Sequence, residues 1–499
     1  MARARTRSER KIKQVFEGNL YQPLTEEQMA AIHQTSLKIF EEIGVSIKYK
    51  PARDLWRKAG ALVDDETGVC RIGREIVAHC IAAAPKEFVQ YGREPKYDLQ
   101  QGGAKFYSGT AGEAVSVTDI ETGEHRLPTL YDLAAATRLC DALENADIIQ
   151  NCCYPCEVNR ENSDIIRAFT MAANSSKPLS IGTYNPECIP RLYKLCSMIL
   201  GKEDACRERP FFTVCCAVIS PLIMDPGWTK ALLSSVEYGF PVVSPSAPTL
   251  GSTCPGTLAS QLVLCNTEAL MTIITVQLQK AGHPCFYSAV PVNMDQRDGS
   301  FSFASVEGWI QNSAMNQMAH WHGIPSYTTC GHSDSKMVDA QLGMEVGIGV
   351  VLEAMSGANF GHGTFGLLEG GLNLSYESYV IADEYLSMAK RILRGVEVNE
   401  ETLGFEAIKE QGIGGVFLDH PLTGQHLRTE FCYPKLSNRK PYTSWLEAGS
   451  PKYADTARAT AREILATHKP LPIDPEIEEA IRAEFPEIPA HAGKIWSEV

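Results

Sequence analysis

Several features that mark large protein classes are scarce or missing in this sequence. No unbroken apolar run approaches the ~20 residues that a bilayer-spanning helix needs. The opening segment MARARTRSERKIK is basic but has no apolar stretch of the kind a secretory signal requires. A short solvated arm in a cytoplasmic protein is the expectation there. Basic residues are the minority, with 46 Lys and Arg against 60 Asp and Glu, for a formal net charge of −14. That balance argues against nucleic acid as the main partner, because phosphate binding rests on a basic surface. G-x-S-x-G, Walker A and HExxH are all absent, which removes the common hydrolase and phosphate-loop signatures.

Cysteine, in contrast, is plentiful at 16 residues, but its spacing is uninformative. A chain of 499 residues is far too long for a disulfide-stapled mini-domain. Cys152, Cys153, Cys215, Cys216, Cys265 and Cys285 sit inside apolar runs, where a free thiol behaves as a small hydrophobe. Only Cys153 and Cys156 form a CxxC, with no second pair and no HxxxH to complete a zinc set. Buried reduced thiols and no intrinsic metal are therefore expected.

The chain divides into three parts on pattern. Residues 1–94 hold the basic arm and a helical layer. Within it, TEEQMAAIHQTSLKIFEEIG (25–44) reads as an amphipathic helix. Thr25 and Gln28 form a capping box, Met29, Ile32, Phe40 and Ile43 share a face, and Gly44 stops it. Residues 95–395 alternate short apolar runs with longer amphipathic stretches. The runs include AKFYSG, IIQNCCYP, PLSIGTY, PFFTVCCAVISP, PVVSPSAP, PCFYSAVP, PSYTTCGHS and ANFGHGTFG. Eight strand–helix units in strict alternation imply a parallel sheet with helical crossovers. That number predicts a (β/α)8 TIM barrel, with a doubly wound open sheet as the alternative. Residues 396–499 lose the rhythm and predict a helical C-terminal appendage, with helices near 453–467 and 475–484.

In such a barrel the site lies at the C-terminal ends of the strands. Tyr107, Tyr154, Tyr184, Tyr287 and Phe360 close five of the runs and predict an aromatic-rimmed mouth. Ring faces hold a quaternary ammonium, which has no N–H to donate. The loop after TTC adds His332 and Asp334 as candidate catalytic groups, although one of Ser333, Asp334 or Ser335 could simply cap the following helix. The stretch ANFGHGTFGLLEGGLN places His362 and Glu369 among glycines and predicts that both contact substrate. Residues 361–366 match G-x-G-x-x-G, yet Gly370 and Gly371 intervene before any helix, and a dinucleotide fingerprint requires that helix N-terminus. Gly361, Gly363, Gly370 and Gly371 are instead expected to let a bulky group approach closely. His320 and His322 spell HxH at a helix end, where positions i and i+2 diverge, so metal ligation is not expected.

These residues carry a resemblance. The stretches TLYDLAAATRLCDALENADII, PSAPTLGSTCPGTLASQLVLCNTEAL, PVNMDQRDGSFSFASVEG, GHSDSKMVDAQLGMEVG, GLLEGGLNLSYESYVIADE and LRTEFCYPKLSNRKPYTSWLEAG resemble the trimethylamine methyltransferase family over nearly the whole length. The resemblance implies a (β/α)8 barrel that moves a methyl group onto the cobalt of a corrinoid (cobalamin) carried by a cognate partner protein. It also implies that the glycine-rich loop meets that macrocycle. Founding members of the family carry pyrrolysine near the strand that here reads TTCGHSDSK. This chain has only standard residues there, and so resembles the pyrrolysine-lacking branch. Characterised members of that branch demethylate quaternary amines such as glycine betaine, proline betaine or carnitine. The expectation is a homo-oligomeric enzyme acting on glycine betaine. A quaternary-amine binding protein without catalysis, or a metal-dependent barrel hydrolase, would be the alternatives.

Overall fold

The computed structural model describes residues 15–329 and 331–498. The basic arm at 1–13 lies outside the described residues. The eight predicted strand–helix units all form, in the order β1 (Ser108–Thr110), α1 (Leu130–Ala142), β2 (Ile149–Gln150), α2 (Ser163–Asn174), β3 (Leu179–Gly182), α3 (Cys188–Ile199), β4 (Phe212–Cys215), α4 (Pro226–Tyr238), β5 (Val242–Val243), α5 (Leu258–Gln279), β6 (Tyr287–Ser288), α6 (Val306–His322), β7 (Ser326–Thr329), α7 (Ala340–Ser356), β8 (Phe360–Phe365) and α8 (Tyr376–Leu393). Ladders run parallel from β2 through β3 and β4 to β5. A second parallel set joins β6, β7, β8 and β1. Parallel bridges Gly109↔Ile148 and Val242↔Cys285 connect β1 to β2 and β5 to β6, so every strand has a parallel neighbour on both sides. Consecutive helices contact one another, and α8 touches α1.

The strands are continuous apolar runs because both faces are buried, and residues such as Phe212, Val214, Val242 and Val243 pack fully on either side. Their N-terminal end is closed by an antiparallel hairpin of Glu87–Gln90 and Leu99–Gly102. Phe88 and Leu99 of this hairpin join Tyr107, Ile148, Phe286, Tyr327 and Phe360 in one apolar cluster. Its buried glutamines link it to the strands: the Gln101 side chain donates to Gln90 Oε1 at 2.7 Å, and the Gln90 side chain donates to Thr213 Oγ1 of β4 at 2.9 Å. The hairpin thus covers the N-terminal ends of the strands.

The N-terminal layer contains strands as well as helices. A four-stranded sheet of Val45–Ile47, Leu62–Val63, Val69–Arg71 and Ile223–Met224 borrows its last strand from the segment after β4. The predicted capping box is present, with Gln28 N–H donating to Thr25 Oγ1 at 3.3 Å and Thr25 N–H to Gln28 Oε1 at 2.8 Å. The helix Glu26–Lys38 then continues as a π turn over Ile39–Ile43. That wider turn shifts the phase of the apolar face, so Phe40 is buried while Ile43 is 61% exposed. Trp56, on the next helix, is fully buried and donates from Nε1 to Thr275 of α5 at 3.0 Å.

α5 is long and apolar enough to cross a membrane by length and composition, which the sequence reading did not anticipate. Its most apolar window is 83% buried inside the protein, and it is a core helix. The two predicted C-terminal helices form at Tyr453–Thr467 and Pro475–Glu484. The first lays Ala457, Ala461 and Leu465 against α8 and α1. Among the described residues all cysteines are free, and most are buried.

Candidate strand-end site

Two groups of side chains stand at the C-terminal ends of the strands. The first belongs to β7 and β8. The register Thr329↔His362 brings His362 beside the loop that carries His332. Their rings lie 5.8 Å apart, His332 stacks on Phe303 at 4.4 Å, and His362 stacks on Tyr327 at 5.1 Å. Both imidazoles are buried, and none of their four ring nitrogens has a hydrogen-bond partner; Thr329 Oγ1 is likewise unpartnered. Burial pushes His332 down to about 4 and His362 to about 3, the latter helped by its neighbour His332. Both rings are therefore neutral near pH 7, each with one N–H to donate and one nitrogen to accept. Unpaired buried polar groups of this density are costly without a ligand to satisfy them.

The second group belongs to β2, β3 and the segment after β1. Tyr154 and Tyr184 meet edge to face at 5.5 Å, and Tyr184 lies 6.1 Å from Trp228 at the start of α4. Tyr184 donates from its hydroxyl to Glu113 Oε2 at 2.7 Å. Glu113 also accepts from Asn151 and from the fully buried Arg167, whose guanidinium sits over both tyrosine rings at 5.3 and 5.0 Å. Cys215, at the end of β4, is only half-buried; its surroundings push the thiol up to about 12, first by burial and then by the Glu113 charge.

The other predicted residues are placed elsewhere. Tyr107 reaches toward the closed end, where its hydroxyl donates to Gln100 O at 3.2 Å, and Phe360 lies in the same apolar cluster. Tyr287 points outward and donates to Asn266 of α5 at 2.8 Å. Glu369 faces His125 at 3.4 Å in a surface pocket shared with Lys336. Asp334 accepts from Ser302 and, at 3.4 Å, from Phe303 N–H, which ties the loop after β7 to the loop that delivers Phe303. Burial holds its carboxyl above the usual range. Of the five predicted aromatics, Tyr154 and Tyr184 stand together, while Phe303 and Tyr327, which were not predicted, stack on the two histidines.

The four glycines expected to admit a macrocycle make room for this chain's own atoms. A Cβ at Gly363 would lie 2.6 Å from both His332 Nε2 and Thr329 Oγ1, at a φ of +75°. One at Gly361 would meet Thr364 Oγ1 at 2.7 Å and Glu353 at 3.1 Å. Gly370 lies against Asp334, and Gly371 against the Phe303 ring. Gly363 and Gly371 are the two of them that lie against the His332 ring.

Sequence reasoning missed Glu113, Asp164, Arg167, Cys215 and Phe303. The signal for Glu113 was available, since it follows the first apolar run, as a strand-end carboxylate would. Arg167 lies inside the stretch SDIIRAFTMAAN and reads as one polar position of an amphipathic helix. Glu268 of α5 was missed as well. It accepts from Ser220 and Leu222 N–H, and from Ser246 at 2.5 Å, bracing the segments after β4 and β5. Among the described residues no group of three or more His, Cys, Asp or Glu is placed to hold a metal ion. His320 and His322 bond instead to Gly357 O at 3.1 Å and Asn266 Oδ1 at 3.0 Å.

The depressed histidine pKa values have a consequence for acid stability. An unfolded chain takes up a proton on each of these rings below about pH 6.5, whereas the folded rings resist until about 3–4. Stability from these groups is therefore whole above about pH 6.5 and is lost as pH falls toward 4, by up to about 1.4 kcal/mol per group per pH unit. Glu268 and Glu353 are raised by burial and act with the opposite sign, so the clean measurement is differential. Urea unfolding of wild type and His332→Gln at pH 7 and pH 5 should show wild type losing stability relative to the variant. A gap that stays constant contradicts the buried neutral ring.

The fold and this site define an α/β protein with buried, unpartnered polar side chains at the C-terminal ends of parallel strands. Comparison with known proteins makes the class specific. The family model for trimethylamine methyltransferase matches residues 1–487, and the chain belongs to that family. It is 31% identical over 459 residues to a trimethylamine methyltransferase of Desulfitobacterium hafniense, covering 92% of each chain. A glycine betaine methyltransferase of the same species, from another strain, is 30% identical over 466 residues, covering 93% of this chain and 96% of the relative. Among solved structures, the Methanosarcina barkeri monomethylamine methyltransferase superposes with a TM-score of 0.53 at 10% identity, over 92% of this chain and 90% of that one. Members of the family are methyltransferases, and the solved neighbour shares the fold over 92% of this chain.

Proposed function

We propose that the eight parallel strands close into a (β/α)8 barrel and that the protein transfers a methyl group from a quaternary amine, glycine betaine first, to the Co(I) of a corrinoid on a partner protein. The cyclic order of strand and helix neighbours supports the barrel. Supporting the substrate class is one observation above all: the buried pair His332 and His362, with four unpartnered ring nitrogens at neighbouring strand ends. Two neutral imidazoles can each donate an N–H to one carboxylate, which is the anionic end of a betaine. Tyr154 and Tyr184, each with the Arg167 guanidinium over one face, offer the methylated ammonium only their remaining ring surface.

The acceptor cobalt supplies an electron pair to the methyl carbon, and the C–N pair stays on nitrogen as a neutral tertiary amine. A quaternary nitrogen is already a competent leaving group, so the chain's own residues have to position rather than activate. His332 and His362 fix the carboxylate, the tyrosines fix the ammonium, and the interlocked β7 and β8 loops keep the imidazoles in place. Fixing the reacting geometry in this way is where such a site gains its rate.

The test is methylation of free or protein-bound cob(I)alamin by the purified protein, with glycine betaine, proline betaine, carnitine and trimethylamine in parallel. Glycine betaine should give dimethylglycine and trimethylamine should give little. Trimethylamine turnover without any betaine turnover overturns the reading. Betaine binding with no methyl transfer would mark a binding protein instead.

A further inference from the structure

Buried charge at the strand ends does not balance. Arg167 is fully buried and bonds two carboxylates, Glu113 and Asp164, the latter through Nη2 to Oδ1 at 2.8 Å. One cation against two anions leaves a net charge of −1 in a place where burying an unpaired charge is expensive. Asp164 is internally satisfied, because its Oδ2 accepts from Thr183 Oγ1 at 2.9 Å and from the Tyr184 and Asn185 N–H groups at 3.0 Å. Glu113 is the member that keeps an accessible edge, with its side chain 12% exposed against 5% for Asp164 and none for Arg167. Arg160 also approaches the Tyr184 ring, at 5.5 Å, but it is exposed and its charge is screened by water. His332 and His362 add no positive charge near neutral pH.

The backbone around Glu113 is built to hold that edge over the strand ends. Asn151, just past β2, donates to Oε1 and uses its own Oδ1 to accept from Gly182 N–H of β3 at 3.0 Å. Gly182 carries no Cβ, and one there would lie 3.2 Å from Glu113 Oε1. The carboxylate therefore sits across β2 and β3, close to Cys215 of β4, while the His332–His362 pair occupies β7 and β8. In the cyclic strand order these are opposite sides.

We infer that Glu113 is the counter-ion of the substrate's ammonium group, with Arg167 and Asp164 as positioning residues that hold its carboxylate toward the pocket. The inference rests on the quaternary-amine reading above and adds which side chain recognises the positive charge. A quaternary ammonium offers no hydrogen bond, so the contact is purely one of charge and shape. The protein should then reject a molecule of the same shape that lacks the charge.

Calorimetric binding of glycine betaine and of 3,3-dimethylbutanoate, which replaces N+ by carbon, tests this without any corrinoid. Wild type should bind the betaine at least about ten-fold more tightly, a difference of about 1.4 kcal/mol. Glu113→Gln should lose that preference while still binding the carbon analogue, and Glu113→Asp should restore part of it. If Glu113→Gln does not fold, Tyr184→Phe serves: it keeps the ring and removes one hydrogen bond from Oε2, so the preference should hold or widen. A Glu113→Gln protein that keeps the preference overturns the inference. So does equal loss of both ligands in Glu113→Gln and Glu113→Asp, which would mark a structural role, and so does a narrowed preference in Tyr184→Phe. Wild type that binds neither molecule overturns the betaine reading itself, and the inference with it.

Discussion

His332→Gln and His362→Gln should each raise the KM for glycine betaine by roughly one to two decades, with a smaller change in kcat. A charge-assisted hydrogen bond to a carboxylate is worth about 1.5–3 kcal/mol, and a contact made equally in ground and transition states appears in KM. Glutamine keeps a donor but cannot reproduce the stacked planar ring on Phe303 or Tyr327. His320 and His322 supply the control. They bond to Gly357 O and to Asn266 at the outer side of the strands, next to Tyr287. Their Gln variants should lower the melting temperature and leave KM for betaine unchanged. Steady-state kinetics and thermal melts of the four variants decide it. Unchanged betaine KM in both His332→Gln and His362→Gln would remove the imidazole pair from the substrate site.

Arg167→Met should be the most destabilising single change at the site, costing about 3–5 kcal/mol in denaturant unfolding. The side chain is fully buried, and its removal leaves Glu113 and Asp164 as neighbouring anions without a cation. It also strips a donor from Gly182 O, which Arg167 Nη2 reaches at 2.9 Å. Adding Glu113→Gln to Arg167→Met should recover part of the loss, because the surviving Asp164 keeps three other donors. An Arg167→Met protein within about 1 kcal/mol of wild type would show that the triad is not a coupled unit.

The eight units were legible because each strand is a short β-branched or aromatic run and each helix a longer amphipathic one. Those two periods differ enough to be separated by eye. The Thr25–Gln28 cap was legible for the same local reason. Whether a strand residue faces inward was not. Parallel strands buried on both faces lack the polar–apolar alternation that reveals direction, so Tyr287 and Tyr154 looked equivalent. The structure sends Tyr287 out to Asn266 and keeps Tyr154 beside Tyr184.

The glycines show the same limit from another side. G-x-G-x-x-G at 361–366 states that something comes close to the backbone, not what. Only the packed loops reveal that the close neighbours are His332, Thr329 and Glu353. The Ile43 position failed because a single π turn rotates the residues that follow it, which the spacing of apolar residues does not reveal.

By itself, then, the sequence determined the family, the alternation of strands and helices, and the closeness of His332 and His362 at adjacent strand ends. All three depend on local periodicity or on contiguous residues. Tertiary structure alone decided the net charge of the pocket. Glu113, Asp164 and Arg167 are dispersed over more than fifty residues and look like ordinary polar positions. Their joint charge becomes a property of the protein only when the fold removes water from between them.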